Sequence, residues 1–62
     1  MQEQQRLIEC ANRLIQKDDW QSHLLAYNNW ELARVQLDQL EESPERAATI
    51  ALLPSGYQRK PH

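Results

Sequence analysis

The apolar repeat that marks the first helical segment fails at Asp18. Leu7, Ala11 and Leu14 recur at the alternating four- and three-residue steps of one helical face. Continued along the chain, those steps predict apolar residues at positions 18, 21, 25 and 28, yet position 25 alone is apolar. A single straight helix of about 40 residues, roughly 60 Å long, would need a continuous apolar face. The sequence therefore predicts that the chain reverses at residues 16–19 and forms an antiparallel helical hairpin.

Both arms of this hairpin have the composition of helices. No glycine precedes Gly56 and no proline precedes Pro44, so the strongest helix-breaking residues are absent from both arms. Asp18 or Asp19 can cap the second arm by accepting hydrogen bonds from its first amides, and Lys17 complements the helix dipole at the end of the first arm. We predict helices over about residues 2–16 and 19–42.

The start of a third helix is marked by Ser43, Pro44 and Glu45. Serine is a preferred N-cap, proline is favoured at the first helical position, and an acidic residue in the first turn complements the dipole. The helix should end before Pro54, since the residue that precedes a proline avoids the α region. We predict an all-α fold with a third helix over residues 44–53, a single domain over residues 1–53 and a flexible tail over residues 54–62.

The second predicted helix carries apolar residues on two sides. At 100° per residue, one broad face and its aromatic neighbours are predicted to form the core or to anchor a partner. The candidates for the core or the aromatic anchors are Trp20, Tyr27, Trp30, Leu37 and Leu40. The apolar residues on the other side are Leu24, Leu25, Leu32 and Val35. One short helix cannot cover both sides, so we expect the third helix or a second copy of the chain to cover this second group.

The second group is the candidate interface for a dimer or for another partner. A domain of about 60 residues buries only about 60% of its unfolded surface and is marginal by itself. Burial of Leu or Val side chains contributes about 1.5–3 kcal/mol each, so eight of them in a two-fold pair give roughly 12–24 kcal/mol. Association costs about 4–15 kcal/mol. We therefore predict a symmetric homodimer that closes into a helical bundle.

The sequence lacks the residue groupings of catalytic, cofactor and metal sites. Gly56 is the only glycine, so there is no glycine-rich phosphate loop, and no Ser, His and acidic residue stand at a spacing typical of nucleophilic catalysis. Cys10 lies beside the apolar face of the first helix and is expected to pack there, and with only His23 and His62 it forms no zinc pattern. We predict a protein that is not an enzyme and that holds no cofactor or metal.

The charge balance disfavours direct binding to nucleic acid. Nine acidic and seven basic residues give a net charge of −2, and Arg34 is the only basic residue in the interior of the second predicted helix. Duplex binding relies instead on clustered Lys and Arg side chains. No apolar run approaches the roughly 20 residues of a membrane span, and the opening stretch MQEQQRLIEC lacks the apolar segment of a signal peptide. We expect no membrane association and a cytoplasmic location.

Two stretches, QEQQRLIECANRLIQ and WELARVQLDQLEES, carry a family resemblance together with the length of 62 residues and the acidic hairpin. The chain resembles the small helical proteins that are encoded between the exonuclease and excisionase genes of lambdoid bacteriophages. The resemblance implies a non-enzymatic early phage protein that alters host physiology and phage development through contacts with other proteins. It carries over no site residues.

Two functions are consistent with these features. The first is a homodimeric regulatory factor that presents its remaining helical surface to an unidentified host or phage protein. The second is a small helical subunit or antitoxin-like modulator that folds on a different protein. A direct DNA-binding regulator is a third hypothesis, which the acidic residues of the second predicted helix disfavour.

Overall fold

The computed structural model describes residues 2–58, which form four α-helices joined by short connections. The helices are α1 (Gln2–Leu14), α2 (Trp20–Asp38), α3 (Pro44–Ile50) and α4 (Ser55–Gln58). No strand occurs among residues 2–58. The prediction of an all-α fold is therefore confirmed.

α1 and α2 lie side by side and run in opposite directions. Near the start of α1, Gln4 Nε2 donates a hydrogen bond to Gln36 Oε1 near the end of α2, at 2.7 Å. Towards the end of α1, Asn12 Oδ1 accepts from the Trp30 indole Nε1 at 3.0 Å. Early residues of α1 thus meet late residues of α2, which is the order of contacts in an antiparallel hairpin. The chain reverses at residues 15–19, where the apolar repeat fails.

The turn between α1 and α2 uses no left-handed residue. α1 ends in tight hydrogen bonds from Gln16 N to Arg13 O at 3.2 Å and from Lys17 N to Leu14 O at 3.1 Å. Among residues 2–58 no residue other than glycine has a positive φ. A left-handed helix cap usually requires Gly or Asn. Because this turn has no left-handed cap, it forms without either residue. These bonds reach the third preceding residue instead of the fourth, so α1 ends at Leu14, before the predicted end at residue 16.

Asp19 is the N-cap of α2, which resolves the choice between Asp18 and Asp19. Its backbone is extended, with φ −111° and ψ 144°. Its carboxylate accepts from Ser22 Oγ at 2.9 Å and from Ser22 N at 3.1 Å. These two hydrogen bonds, led by the one from the side chain, hold the pKa of Asp19 below its usual value of 3.8. His23 Nε2 and Lys17 O lie 2.7 Å apart, so the turn is also tied to the first turn of α2.

The core lies between the hairpin and the segment that contains α3 and α4. Its buried apolar residues are Ile8, Ala11, Ala26, Trp30, Ala33, Leu37 and Leu53. Asn12 Nδ2 donates to Leu52 O at 3.4 Å, and the rings of Trp30 and Tyr57 lie 5.5 Å apart. The segment that follows α2 therefore returns over the hairpin and packs against both of its arms.

α2 ends at Asp38, well before the predicted end at residue 42. Leu40 N bonds to Leu37 O at 3.2 Å in a tight turn, and the same carbonyl accepts from Arg46 Nε at 2.7 Å. A continuing α-helix would need this carbonyl to accept from the N–H of residue 41. Because the turn and the guanidinium occupy it, the helix stops.

α3 begins as predicted but ends earlier than residue 53. Ser43 is the N-cap and its Oγ accepts from Arg46 N at 3.1 Å, with Pro44 in the first turn. The helix ends at Ile50, after which Leu53 N bonds to Ile50 O at 3.0 Å in a tight turn. This turn directs Leu53 into the core, where it is buried.

Residues 55–58 form a helical turn where a flexible tail was expected. Tyr57 N bonds to Pro54 O at 2.8 Å, and Gln58 Nε2 donates to Leu53 O at 2.8 Å. The ring of Tyr57 packs against Trp30, which fixes this turn on the core. The remainder of the predicted tail, residues 59–62, lies outside the described residues.

The Asp19 cap makes the stability of the protein depend on pH in the acidic range. The folded state holds the pKa of Asp19 below 3.8, so the charged cap stabilises the fold above that pH and loses its contribution as the pH falls through the folded pKa. The amide cap of Asp19→Asn does not titrate. We therefore expect the difference in the free energy of unfolding between the wild type and this variant to decrease as the pH is lowered from about 6 to about 2.5. Urea unfolding followed by circular dichroism at several pH values measures the gap.

Asp18→Asn is the matched control, because Asp18 makes no side-chain hydrogen bond among the described residues. It should leave the pH dependence of the wild type unchanged. A constant gap between the wild type and Asp19→Asn over this pH range would contradict the role of the Asp19 carboxylate.

Candidate interaction surface on the second helix

α2 buries one side in the core and exposes apolar residues on the other. Ala26, Trp30, Ala33 and Leu37 form the buried side. Among residues 2–58, eight large apolar side chains are exposed, and six of these eight belong to α2. The six are Trp20, Leu24, Leu25, Tyr27, Leu32 and Val35. The exposed apolar surface of the protein is therefore concentrated on one helix.

All four residues of the predicted interface lie in this exposed set. Leu24 and Leu25 are each 54% exposed, Val35 is 48% exposed and Leu32 is 45% exposed. The third helix does not cover them, because it approaches α2 at the C-terminal end of its inner side, through Arg46 and the carbonyl of Leu37. The sequence left two possible covers open, the third helix and a second copy of the chain. No described segment of this chain covers the four residues.

The predicted core and anchor residues divide into three groups. Trp30 and Leu37 are buried, as expected for core residues. Tyr27 is 45% exposed and lies 6.0 Å from the Trp30 ring, so it borders the core. Trp20 is 68% exposed and Leu40 is 40% exposed, which contradicts a core position for either.

The physical reasons for these two exposed positions differ. Trp20 is the first residue of α2 and, at 100° per residue, points about 110° away from the centre of the buried side. Leu40 follows the end of α2 at Asp38, so the helical spacing that placed it on the core face no longer applies there.

An open groove runs beside the exposed side of α2. It has a volume of about 810 Å³ and is lined by Leu7, Cys10 and other residues of α1 together with Asn29 of α2. Leu25 and Leu32 stand one turn before and one turn after Asn29 and so lie on the same flank of the helix. The groove therefore opens on the flank of α2 that carries these two leucines. Half-buried Cys10 lies in its wall and is not among the side chains that pack on the core.

An ionic cluster built on two buried arginines fastens α2 to α3, and it was not among the predicted features. Asp38 Oδ1 accepts from Arg34 Nη2 at 3.2 Å and from Arg46 Nη2 at 3.5 Å. Arg46 Nη1 also lies 3.4 Å from Glu42 Oε1. Both arginines are buried, so one carboxylate lies between two guanidinium groups. The spacing of Arg34 and Asp38, four residues apart on a helix, could have indicated the first of these pairs.

Arg34 is therefore not available as a surface cation. It is 7% exposed, and its Nε and Nη1 atoms find no hydrogen-bond partner among the described residues. The other bases considered for nucleic-acid contact, Arg59 and Lys60, lie outside the described residues. Within residues 2–58 no group of three His, Cys, Asp or Glu side chains could hold a metal ion. No helix in that range is long and apolar enough to cross a membrane.

Comparisons with protein-family models, with curated proteins and with solved structures give no match to this chain.

The ionic cluster predicts that Arg46 contributes much more to stability than its neighbour in the ion pair, Glu42. Arg46→Met retains an apolar side chain but removes the bond to Leu37 O and the contact with Asp38. Hydrogen bonds to charged groups contribute about 1.5–3 kcal/mol, so the free energy of unfolding should fall by about 2–4 kcal/mol. Urea denaturation monitored by far-UV circular dichroism measures this loss.

Glu42→Gln is the matched control from the same cluster. The Glu42 side chain is 94% exposed, and exposed ion pairs contribute about 0–1 kcal/mol. The variant should unfold close to the wild-type midpoint. Equal midpoints for the two variants would show that the buried guanidinium does not hold α2 to α3.

Proposed function

We propose that this protein is a non-enzymatic interaction factor that forms a homodimer through the exposed side of α2 and presents its remaining helical surface to another protein. The observation that carries the proposal is the concentration of exposed large apolar side chains on α2. Exposed apolar side chains gathered on one element mark interaction sites more often than isolated ones do. No described segment of the chain covers them.

The four residues of the predicted interface are already partly buried, which lowers the free energy that a dimer can gain by covering them. Its four residues are 45–54% exposed, so about half of the roughly 1.5–3 kcal/mol for full burial of each remains to be gained, or about 6–12 kcal/mol for a two-fold pair. Association costs about 4–15 kcal/mol, so these residues alone come close to balance. The expected dimer is therefore weak.

The biological role in the proposal comes from the family resemblance. The resemblance rests in part on the length of 62 residues, the net charge of −2 and an antiparallel helical hairpin. We propose an early accessory protein of a lambdoid phage that acts in the host cytoplasm on host physiology or phage development, through contacts with a protein that is not identified. Direct DNA contact is left out of the proposal, because the guanidinium of Arg34 is buried beside Asp38.

A second candidate function is a subunit or antitoxin-like modulator that completes its fold on a different protein. The observation that favours it is the modest core. Three of the seven buried apolar residues are alanines, and the largest fully buried side chains are Ile8 and Leu37. A core of this size gives a small domain little stability of its own.

Sedimentation velocity of the purified chain at several concentrations separates the two functions. The wild type should show a rising fraction of dimer as its concentration approaches the millimolar range, since a millimolar dissociation constant corresponds to about 4 kcal/mol. The double variant Leu25→Glu with Leu32→Glu should sediment as a monomer with an unchanged far-UV circular dichroism spectrum, because it places charges in an apolar interface.

Leu52→Glu is the matched control. It introduces the same charge at a side chain that is 41% exposed and that follows α3, away from α2, so it should leave the dimer intact. A double variant that remains dimeric would remove these leucines from the interface. A wild-type chain that is unfolded or monomeric at every concentration would favour the second candidate.

A further inference from the structure

One side of α2 carries a residue pattern that is the same when read from either end. Around the midpoint between residues 28 and 29, the mirrored positions on one side of the helix carry the same residue types. The mirrored pairs are Gln21 with Gln36, Leu25 with Leu32, and Asn28 with Asn29. At 100° per residue these six residues fall within about 100° of the helix circumference. We call them the amide stripe.

We propose that a second copy of this chain binds along the amide stripe in the antiparallel direction, with a two-fold axis passing between Asn28 and Asn29. Leu25 of each copy then packs on Leu32 of the other. The inference rests on the proposed function, because it specifies the geometry of the proposed homodimer. It narrows the interface to Leu25 and Leu32, since Val35 and Leu24 lie about 20° and about 40° outside the stripe. A two-fold interface requires a self-complementary surface, in which residue i meets residue j and residue j meets residue i. The mirrored stripe meets this requirement.

The charges of α2 allow the stripe to be buried without separating ion pairs. The stripe itself has no ionisable side chain. Arg34 and Asp38 are held in the cluster with Arg46, on another side of the helix. Glu31 lies about 60° beyond the edge of the stripe, at Asn28. Burial of the stripe therefore avoids the large cost of moving a charge away from water.

The amides of the stripe complement each other across the two-fold axis. A side-chain amide carries both donors and an acceptor, so it can pair with a second amide. Asn28 and Asn29 meet at the centre of the proposed interface. Gln36 already uses its Oε1 to accept from Gln4, which leaves its Nε2 to donate to Gln21 of the second copy. In registers centred on residue 25 or residue 32, Asn28 would face Ser22 or Gln36, so the amides do not select a register and the leucines must do so.

The leucines select this register over its neighbours. A shift of the axis by half a heptad to residue 25 pairs Leu25 with itself but places Leu32 opposite Asp18. A shift to residue 32 pairs Leu32 with itself but places Leu25 opposite Gln39. Only the axis between residues 28 and 29 buries both leucines against leucine. It also aligns Trp20 with Leu37, so the two copies of α2 overlap over their whole length.

The area of the helix pair indicates a weak dimer. Two helices of 19 residues overlap over about 28 Å, and a helix about 10 Å wide covers roughly 280 Å² in projection. A standard interface buries about 800 Å² on each partner, so the helix pair alone covers about a third of that area. The groove beside Asn29 borders the stripe, but its α1 wall includes Glu3 and Arg6 as well as Leu7 and Cys10.

A mixing experiment tests the register. In the proposed dimer, Leu25→Glu and Leu32→Lys each place charges against a leucine and should raise the dimer dissociation constant by at least about tenfold. When the two variants are mixed, Glu at position 25 of one copy meets Lys at position 32 of the other, and the second leucine pair remains intact. Sedimentation velocity should then show a heterodimer with a dissociation constant within about threefold of the wild type.

The control mixture is Leu25→Glu with Leu25→Lys. In the antiparallel register both charges still face leucine, so this mixture should remain monomeric. Recovery of the dimer by this mixture, and not by the first, would overturn the antiparallel register in favour of a parallel pair, while the proposed homodimer would stand.

Leu24→Glu is the matched variant for the position of the stripe. Leu24 and Leu25 are both 54% exposed, yet they point about 100° apart around the helix, and only Leu25 belongs to the stripe. Leu24→Glu should weaken the dimer less than Leu25→Glu. The opposite ranking would overturn the stripe as the interface, whereas a wild-type chain that is monomeric at every concentration would overturn the proposed homodimer itself.

Discussion

The Trp30 side chain is the point at which α1, α2 and α4 meet, and the rest of the fold depends on it. Its indole donates to Asn12 of α1, and its ring packs against Tyr57 of α4. In a chain this small, one large aromatic residue with a satisfied polar atom supplies much of the area that three elements share. The alanines beside it on α2, Ala26 and Ala33, let the neighbouring segments approach closely. The inner side of α2 is therefore covered by other segments of the chain.

The outer side of α2 is exposed because none of the other described helices packs on it. α1 and the α3–α4 segment pack on the inner side and its edges, and both are held there by polar contacts as well as apolar ones. Arg46 donates to the carbonyl of Leu37 and shares Asp38 with Arg34. A guanidinium that is satisfied in this way cannot move without exposing a carboxylate and a carbonyl that it neutralises. The short helices therefore cannot shift to cover Leu25 and Leu32.

Much of the fold could be predicted from the sequence because the signals were local. The break in the apolar repeat located the turn, and the caps at Asp19 and Ser43 set the starts of α2 and α3. The position of Leu24, Leu25, Leu32 and Val35 away from the core-facing side of α2 also followed from helical spacing alone. The same spacing failed for Leu40, because a helical wheel assumes a helix of known length and α2 ends at Asp38. Trp20 was placed beside the core face although the spacing itself turns it about 110° from the centre of the buried side.

The sequence by itself determined where helices begin, where the chain turns and which residues share a side of α2. These properties rest on hydrogen bonds and spacings within a few residues. Tertiary structure decided where α2 ends, that residues 55–58 return to the core, and which apolar side of α2 is left uncovered. Each of these depends on contacts between distant parts of the chain, such as Arg46 with Leu37 and Tyr57 with Trp30. No local pattern reports such contacts, because their energy arises only when the helices are already packed.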